Sequence, residues 1–126
     1  MKQLLAGLIC LPFLAGGAAA GTAASTQENA VIDHLMAYVQ QSSCKFARNG
    51  TWYSGSVARQ YLQAKLDAAS VLEPIGSAEA FIEKIATKSS SSGEPYLVKC
   101  GTSEVSQSGP WLTQELKRSR PSLAGN

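Results

Sequence analysis

Two cysteines in the body of the chain, Cys44 and Cys100, constrain its folding more than any other pair of residues. What they can do depends on where the chain is sent. The N-terminus has the layout of a secretory signal peptide, in which Lys2 supplies the positive n-region. Leu4 to Leu14 is apolar but too short to span a hydrocarbon core of about 30 Å as a stable helix. Small residues follow from Gly16 to Ala24, so cleavage after Ala20 or after Ala24 satisfies the small-x-small rule, the later cut being preferred. An uncleaved membrane anchor is the rival reading. A lipoprotein is rejected, because Ile9 stands where a small residue must precede the lipidated cysteine and more apolar residues follow Cys10.

Export leads to an oxidising compartment, the periplasm or the exterior, where an even number of cysteines reads as a disulfide. Joining Cys44 to Cys100 closes a loop of roughly 57 residues and stabilises the fold by about 3–5 kcal/mol. For a domain of roughly one hundred residues that is a sizeable share of the total. Free thiols and a metal site are weaker readings, since two cysteines and the single distant His34 do not make a ligand set.

Losing residues 1–24 removes Lys2 and no acid, so the formal charge falls by one from +2. Such a domain has no electrostatic footprint for nucleic acid or anionic lipid, and neither is expected as a partner. The basic cluster Lys117, Arg118 and Arg120 sits at a predicted helix end, where cations suit the dipole.

Apolar spacing predicts a mostly α, α+β domain over residues 25–120, with a flexible tail at 121–126. Val31, Ile32, Leu35, Met36 and Val39 make one stripe of a first helix from about Thr26 to Gln41. Ser54 caps a second, from about Gly55 to Ala69, with Ala58, Leu62, Leu66 and Ala69 inward. Ser77 caps a third, carrying Phe81, Ile82, Ile85 and Ala86. Pro110 opens a last helix with Trp111, Leu112, Glu115 and Leu116. Cys44 to Arg48 and Pro95 to Cys100 alternate like short strands, and Asn49-Gly50 is a turn signal. Pairing them antiparallel with Cys44 opposite Cys100 sets Phe46 against Val98 and Arg48 against Tyr96. The expected frame is thus four helices pinned by a two-stranded ribbon and one disulfide.

These residues carry a resemblance. Phe46-x-Arg48-Asn49-Gly50, Tyr53-x-Gly55-x-x-Ala58 and Leu62-x-x-Lys65 resemble the opening of the bacterial domain of unknown function 5329, the YfeK-like exported proteins. Ser77-Ala78-Glu79-x-Phe81-Ile82 and the run from Ser89 to Val98 resemble its second half, and Trp111-Leu112 with Leu116 its closing helix. The chain departs at Gln60-Tyr61-Leu62, where members carry a His before the Leu. The resemblance implies export and a shared fold, and no activity.

Catalytic constellations are weak. His34 neighbours Asp33, which points to another helix face, and no Gly-x-Ser-x-Gly elbow is present; a polar helix surface is the expected place for His34. Glu79 and Glu83 share a helical face with Lys84 and Lys88 nearby, as on a solvated surface. No enzyme and no cofactor are expected.

The Arg48-Asn49-Gly50 turn and the Ser89–Tyr96 loop are richer, because the ribbon brings them to one end. Arg48, Asn49, Tyr53, Ser92, Gly93 and Tyr96 then form a recognition surface, with Trp52 nearby and Tyr96 at an exposed loop edge. The structural alternative is a chain turn beside a flexible serine linker. The preferred function is a non-enzymatic exported binding module for a protein or an envelope polymer. The alternative is an inhibitor or immunity protein against a cell-wall-degrading enzyme. Ser92-Gly93-Glu94-Pro95-Tyr96 is similar to loops of bacterial lysozyme inhibitors, although a near-neutral domain gains no steering toward basic lysozymes. A small hydrolase ranks last.

Overall fold

The computed structural model describes residues 23–124, with side chains to Ser122, so the leader at 1–24 falls almost wholly outside the described residues. Four helices follow the expected order: α1 (Thr26–Gln41), α2 (Gly55–Leu72), α3 (Ala78–Lys84) and α4 (Ser108–Ala124). Each of the first three starts on a serine whose hydroxyl accepts a hydrogen bond from a first-turn N–H. Ser25 accepts from Glu28, Ser54 from Val57, and Ser77 from Ala80. The stripe of α1 is buried throughout, and α1 packs against the other three helices.

Three expectations about the helices change. The third helix stops at Lys84, so Ile85 and Ala86 are buried beyond its end rather than within it. In α2 only Gly55, Ala58 and Leu62 are buried, while Leu66 and Ala69 are half-buried because the helix runs on to Leu72 beyond the core. In α4 the helix continues through Pro121 to Ala124, past the point where the tail was expected to begin.

The ribbon is a four-stranded antiparallel sheet in the order β2-β1-β3-β4, not a two-stranded one. Its strands are β1 (Lys45–Arg48), β2 (Thr51–Ser54), β3 (Leu97–Lys99) and β4 (Ser106–Gln107). The second strand follows from the turn itself. Asn49 and Gly50 have φ of 51° and 85°, and two left-handed residues in succession make the tight turn whose twist matches flanking strands. Thr51–Ser54 therefore folds back on β1, with Phe46 opposite Tyr53 and Ala47 opposite Trp52. The two residues of β4 are too few for any periodic signal; their pairing to Leu97 and Val98 is set by the position of α4.

The central pairing has the expected register. Phe46 lies opposite Val98, Lys45 opposite Lys99 and Ala47 opposite Leu97. Cys44 and Cys100, one step further, are bonded to each other. Phe46 and Val98 face the helices and are buried. Trp111 of α4 joins the layers, edge-on to Phe46 at 5.4 Å and tilted against Tyr38 of α1 at 4.7 Å between ring centres.

Candidate functional site

Arg48 ends β1, Tyr53 lies on the adjacent β2, and Tyr96 immediately precedes β3. All three line one small cavity between the sheet and α2. Its walls are apolar, from Val39, Phe46, Ala58, Leu62 and Leu112. Strand alternation explains the convergence, since Arg48 shares the inward face with Phe46, and Tyr96 continues the register of Val98.

The other three expected site residues do something different. Asn49 donates from Nδ2 to the Ser89 hydroxyl at 3.2 Å and accepts at Oδ1 from the Ser92 hydroxyl at 2.5 Å. Ser89 is buried, and its N–H donates to the Glu94 carbonyl. The N–H of Gly93, a residue in the left-handed region at φ 77°, donates to the Ser89 carbonyl. A bridge between Lys88 and Pro95 closes the base. The serine loop is thus a closed structure clasped by the hairpin turn, rather than a flexible linker. Asn49, Ser92 and Gly93 lie at the surface and hold it there through these bonds.

Two residues that the sequence reading left out of the site belong to it. Tyr61 of α2 lines the cavity, packs edge-on to Tyr53 at 5.1 Å and carries the Arg48 guanidinium over its ring at 4.8 Å. Lys65, one turn further on, donates to the Tyr96 hydroxyl at 3.1 Å and to the Lys88 carbonyl at 2.6 Å. The packing of α2 against the sheet brings them there, although Lys65 already stands in the Leu62-x-x-Lys65 motif. Tyr96 itself is not at an exposed edge. It is half-buried against the core, its N–H donates to the Thr87 carbonyl, and its carbonyl accepts from Ser108. Trp52 lies on the opposite face of β2 from Tyr53, exposed to solvent.

His34 is likewise not a plain surface residue. Its Nε2 lies 2.6 Å from Oε2 of Glu115, whose side chain is 2 % exposed. Arg118 donates to both oxygens of that carboxylate, at 2.8 and 2.6 Å. The Arg118 hydrogen bonds hold the Glu115 carboxyl below the usual range against the opposing effect of burial, and His34 adds to them. The arrangement ties α1 to α4. Arg120 is engaged similarly, with Glu28 at 2.7 Å and Glu79 at 2.8 Å, which takes Glu79 out of the purely solvated face. The basic cluster of α4 is therefore largely neutralised within the protein.

No curated protein and no solved structure gives a significant match to the chain. The resemblance carried by its motifs is confirmed at the level of the family: residues 26–120 match the family of unknown function DUF5329, and the chain belongs to that family.

Proposed function

We propose that this protein is a non-enzymatic binding module of the bacterial, YfeK-like type, exported to the periplasm or beyond, which recognises its partner through the cavity rim. The observation that carries this is the meeting of Arg48, Tyr53 and Tyr96 with Tyr61 around one apolar cavity. Rigid aromatic anchors beside a guanidinium give contact area at low entropic cost. The serine loop supports the rim rather than reaching for the partner, because the hydroxyls of Ser89, Ser91 and Ser92 are engaged by Asn49 and by each other. That weighs against an inhibitor that would insert Ser92 into a target enzyme. The bonded pair Cys44–Cys100 favours an oxidising compartment.

The test is capture of envelope protein or glycan on immobilised wild type, Tyr96→Phe and Arg48→Met. Tyr96→Phe keeps the ring and removes only the hydroxyl that Lys65 meets. A specific partner lost on both variants, with unchanged melting curves, is the expected result. Retention by both would remove the rim from the binding surface. Mass spectrometry of the protein from its compartment should give an N-terminus near Gly21 or Ser25; a chain beginning at Met1 would refute export.

A further inference from the structure

The rim's two cations are left without carboxylate partners. Among the described residues Arg118, Arg120 and Lys84 all form ion pairs, whereas Arg48 and Lys65 form none. Lys65 is held by oxygens of Tyr96 and Lys88, and its charge is uncompensated. The Arg48 guanidinium makes no hydrogen bond to a described residue and is held by the face of Tyr61. A guanidinium stacked in this way keeps its edge N–H groups available, and that edge matches a carboxylate bidentately. No Asp or Glu lines the cavity.

The cavity itself sets a size. It measures about 40 Å³. A single water needs about 10–15 Å³ of such space, so the cavity admits a group of about three or four heavy atoms. That suits a short branched side chain better than a long acyl chain or a sugar ring. Water in it would find few polar partners, and an alkyl group replacing that water gains affinity.

We infer that the site takes a short aliphatic side chain with a carboxylate directly beside it, the chemistry of a branched aliphatic amino acid or of a peptide's C-terminal residue. The side chain enters the apolar cavity, and the carboxylate meets Arg48, with Lys65 adding charge across Tyr96. The proximity of charge and apolar group in the ligand follows from the site, because Arg48 and Leu62 line the same small cavity. This rests on the reading of the rim as a binding surface and names what that surface would hold.

The experiment is amide NMR titration of protein produced from the full chain with N-acetyl-leucine, N-acetyl-leucinamide, N-acetylglycine and free leucine. N-acetyl-leucine should saturably shift the amides of Arg48, Tyr61 and Tyr96. Removing the carboxylate or the side chain should each weaken binding at least about tenfold. Arg48→Met should narrow the advantage of the acid over the amide to the small part that Lys65 supplies. Should that variant fail to fold, Lys65→Met and the wild-type comparison of acid with amide still decide. Free leucine binding as well as N-acetyl-leucine assigns the site to free amino acids, and weaker binding assigns it to chain ends; both uphold the chemistry. Equal binding of acid and amide, or no saturable shift at these amides, overturns it. If the probes fail while partner capture still depends on Arg48 and Tyr96, this inference falls and the binding module stands; if capture is indifferent too, both fall.

Discussion

Replacing Gly55 by alanine sets local propensity against tertiary packing, and the structure decides which prevails. Gly55 opens α2, where alanine is preferred to glycine in a helix by up to about 1 kcal/mol. Most of that preference is backbone entropy, because alanine has fewer unfolded conformations to lose. A reading from the helix alone therefore predicts stabilisation. In the fold, a Cβ at Gly55 would lie 2.3 Å from the Val39 carbonyl oxygen and 3.1 Å from that of Gln40. Both are backbone atoms at the end of α1, so no side-chain rotation relieves the clash. Reaching ordinary contact at 3.4 Å needs a relative shift of about 1 Å between α1 and α2. The end of α1 is poorly placed to make it, because Cys44 lies just beyond and is tied to Cys100. Overpacking of this kind costs about 1–3 kcal/mol and occasionally more. With backbone on one side and a disulfide behind it, the upper part of that range applies, leaving a net loss of about 2 kcal/mol after the propensity gain. For a domain of this size the melting temperature should fall by about 8–16 °C. Thermal unfolding followed by circular dichroism measures this directly, with Ala68→Gly on the exposed face of α2 as the control for propensity alone. A Gly55→Ala protein that melts at or above the wild-type temperature would refute the close approach of the two helices.

Other outcomes test separate parts of the fold. Cys100→Ser opens the 56-residue span between the cysteines and should cost about 4 kcal/mol by loop entropy, read as a lower urea midpoint; an unchanged midpoint would show that the bond constrains little. Glu115 and Glu28 have folded carboxyl pKa values below their unfolded ones, lowered chiefly by Arg118 and by Arg120. Their stabilisation is thus fully present above the unfolded value of about 4.5 and is lost as pH falls through the folded values. Glu115→Gln should cost about 1–3 kcal/mol at pH 7, with the gap from wild type closing toward pH 3; a gap constant with pH would exclude the charge as its source. Asn49→Gly, which keeps a residue at ease in the left-handed turn, should change the melting temperature little, yet speed hydrogen exchange at Gly93 and Glu94, because both clasping bonds to the serine loop are gone. Unaltered exchange there would mean that the loop closes on its own backbone bonds.

Much of this protein follows from short-range rules that act on consecutive residues. Serine caps at positions 25, 54 and 77 and the apolar stripe of α1 fix where helices begin and which side is buried. The parity of antiparallel pairing, applied to Cys44 and Cys100, fixes that Phe46 meets Val98. Even the missed strand β2 was locally legible, since Asn49-Gly50 favours a two-residue turn and Thr51-Trp52-Tyr53-Ser54 has strand composition. The tertiary structure decided what depends on distant atoms. Leu66 and Ala69 pack at the edge of the core and stay half-buried, and His34 acquires Glu115, 81 residues further along the chain. At the site, strand alternation could place Arg48 and Tyr96 together, but Tyr61 and Lys65 joined them only when α2 docked on the sheet. The division has one physical cause. Caps, turns and periodicity are set by backbone geometry within a few residues, whereas a cavity rim and the partners of its charges are set by which faces touch once the apolar stripes are buried.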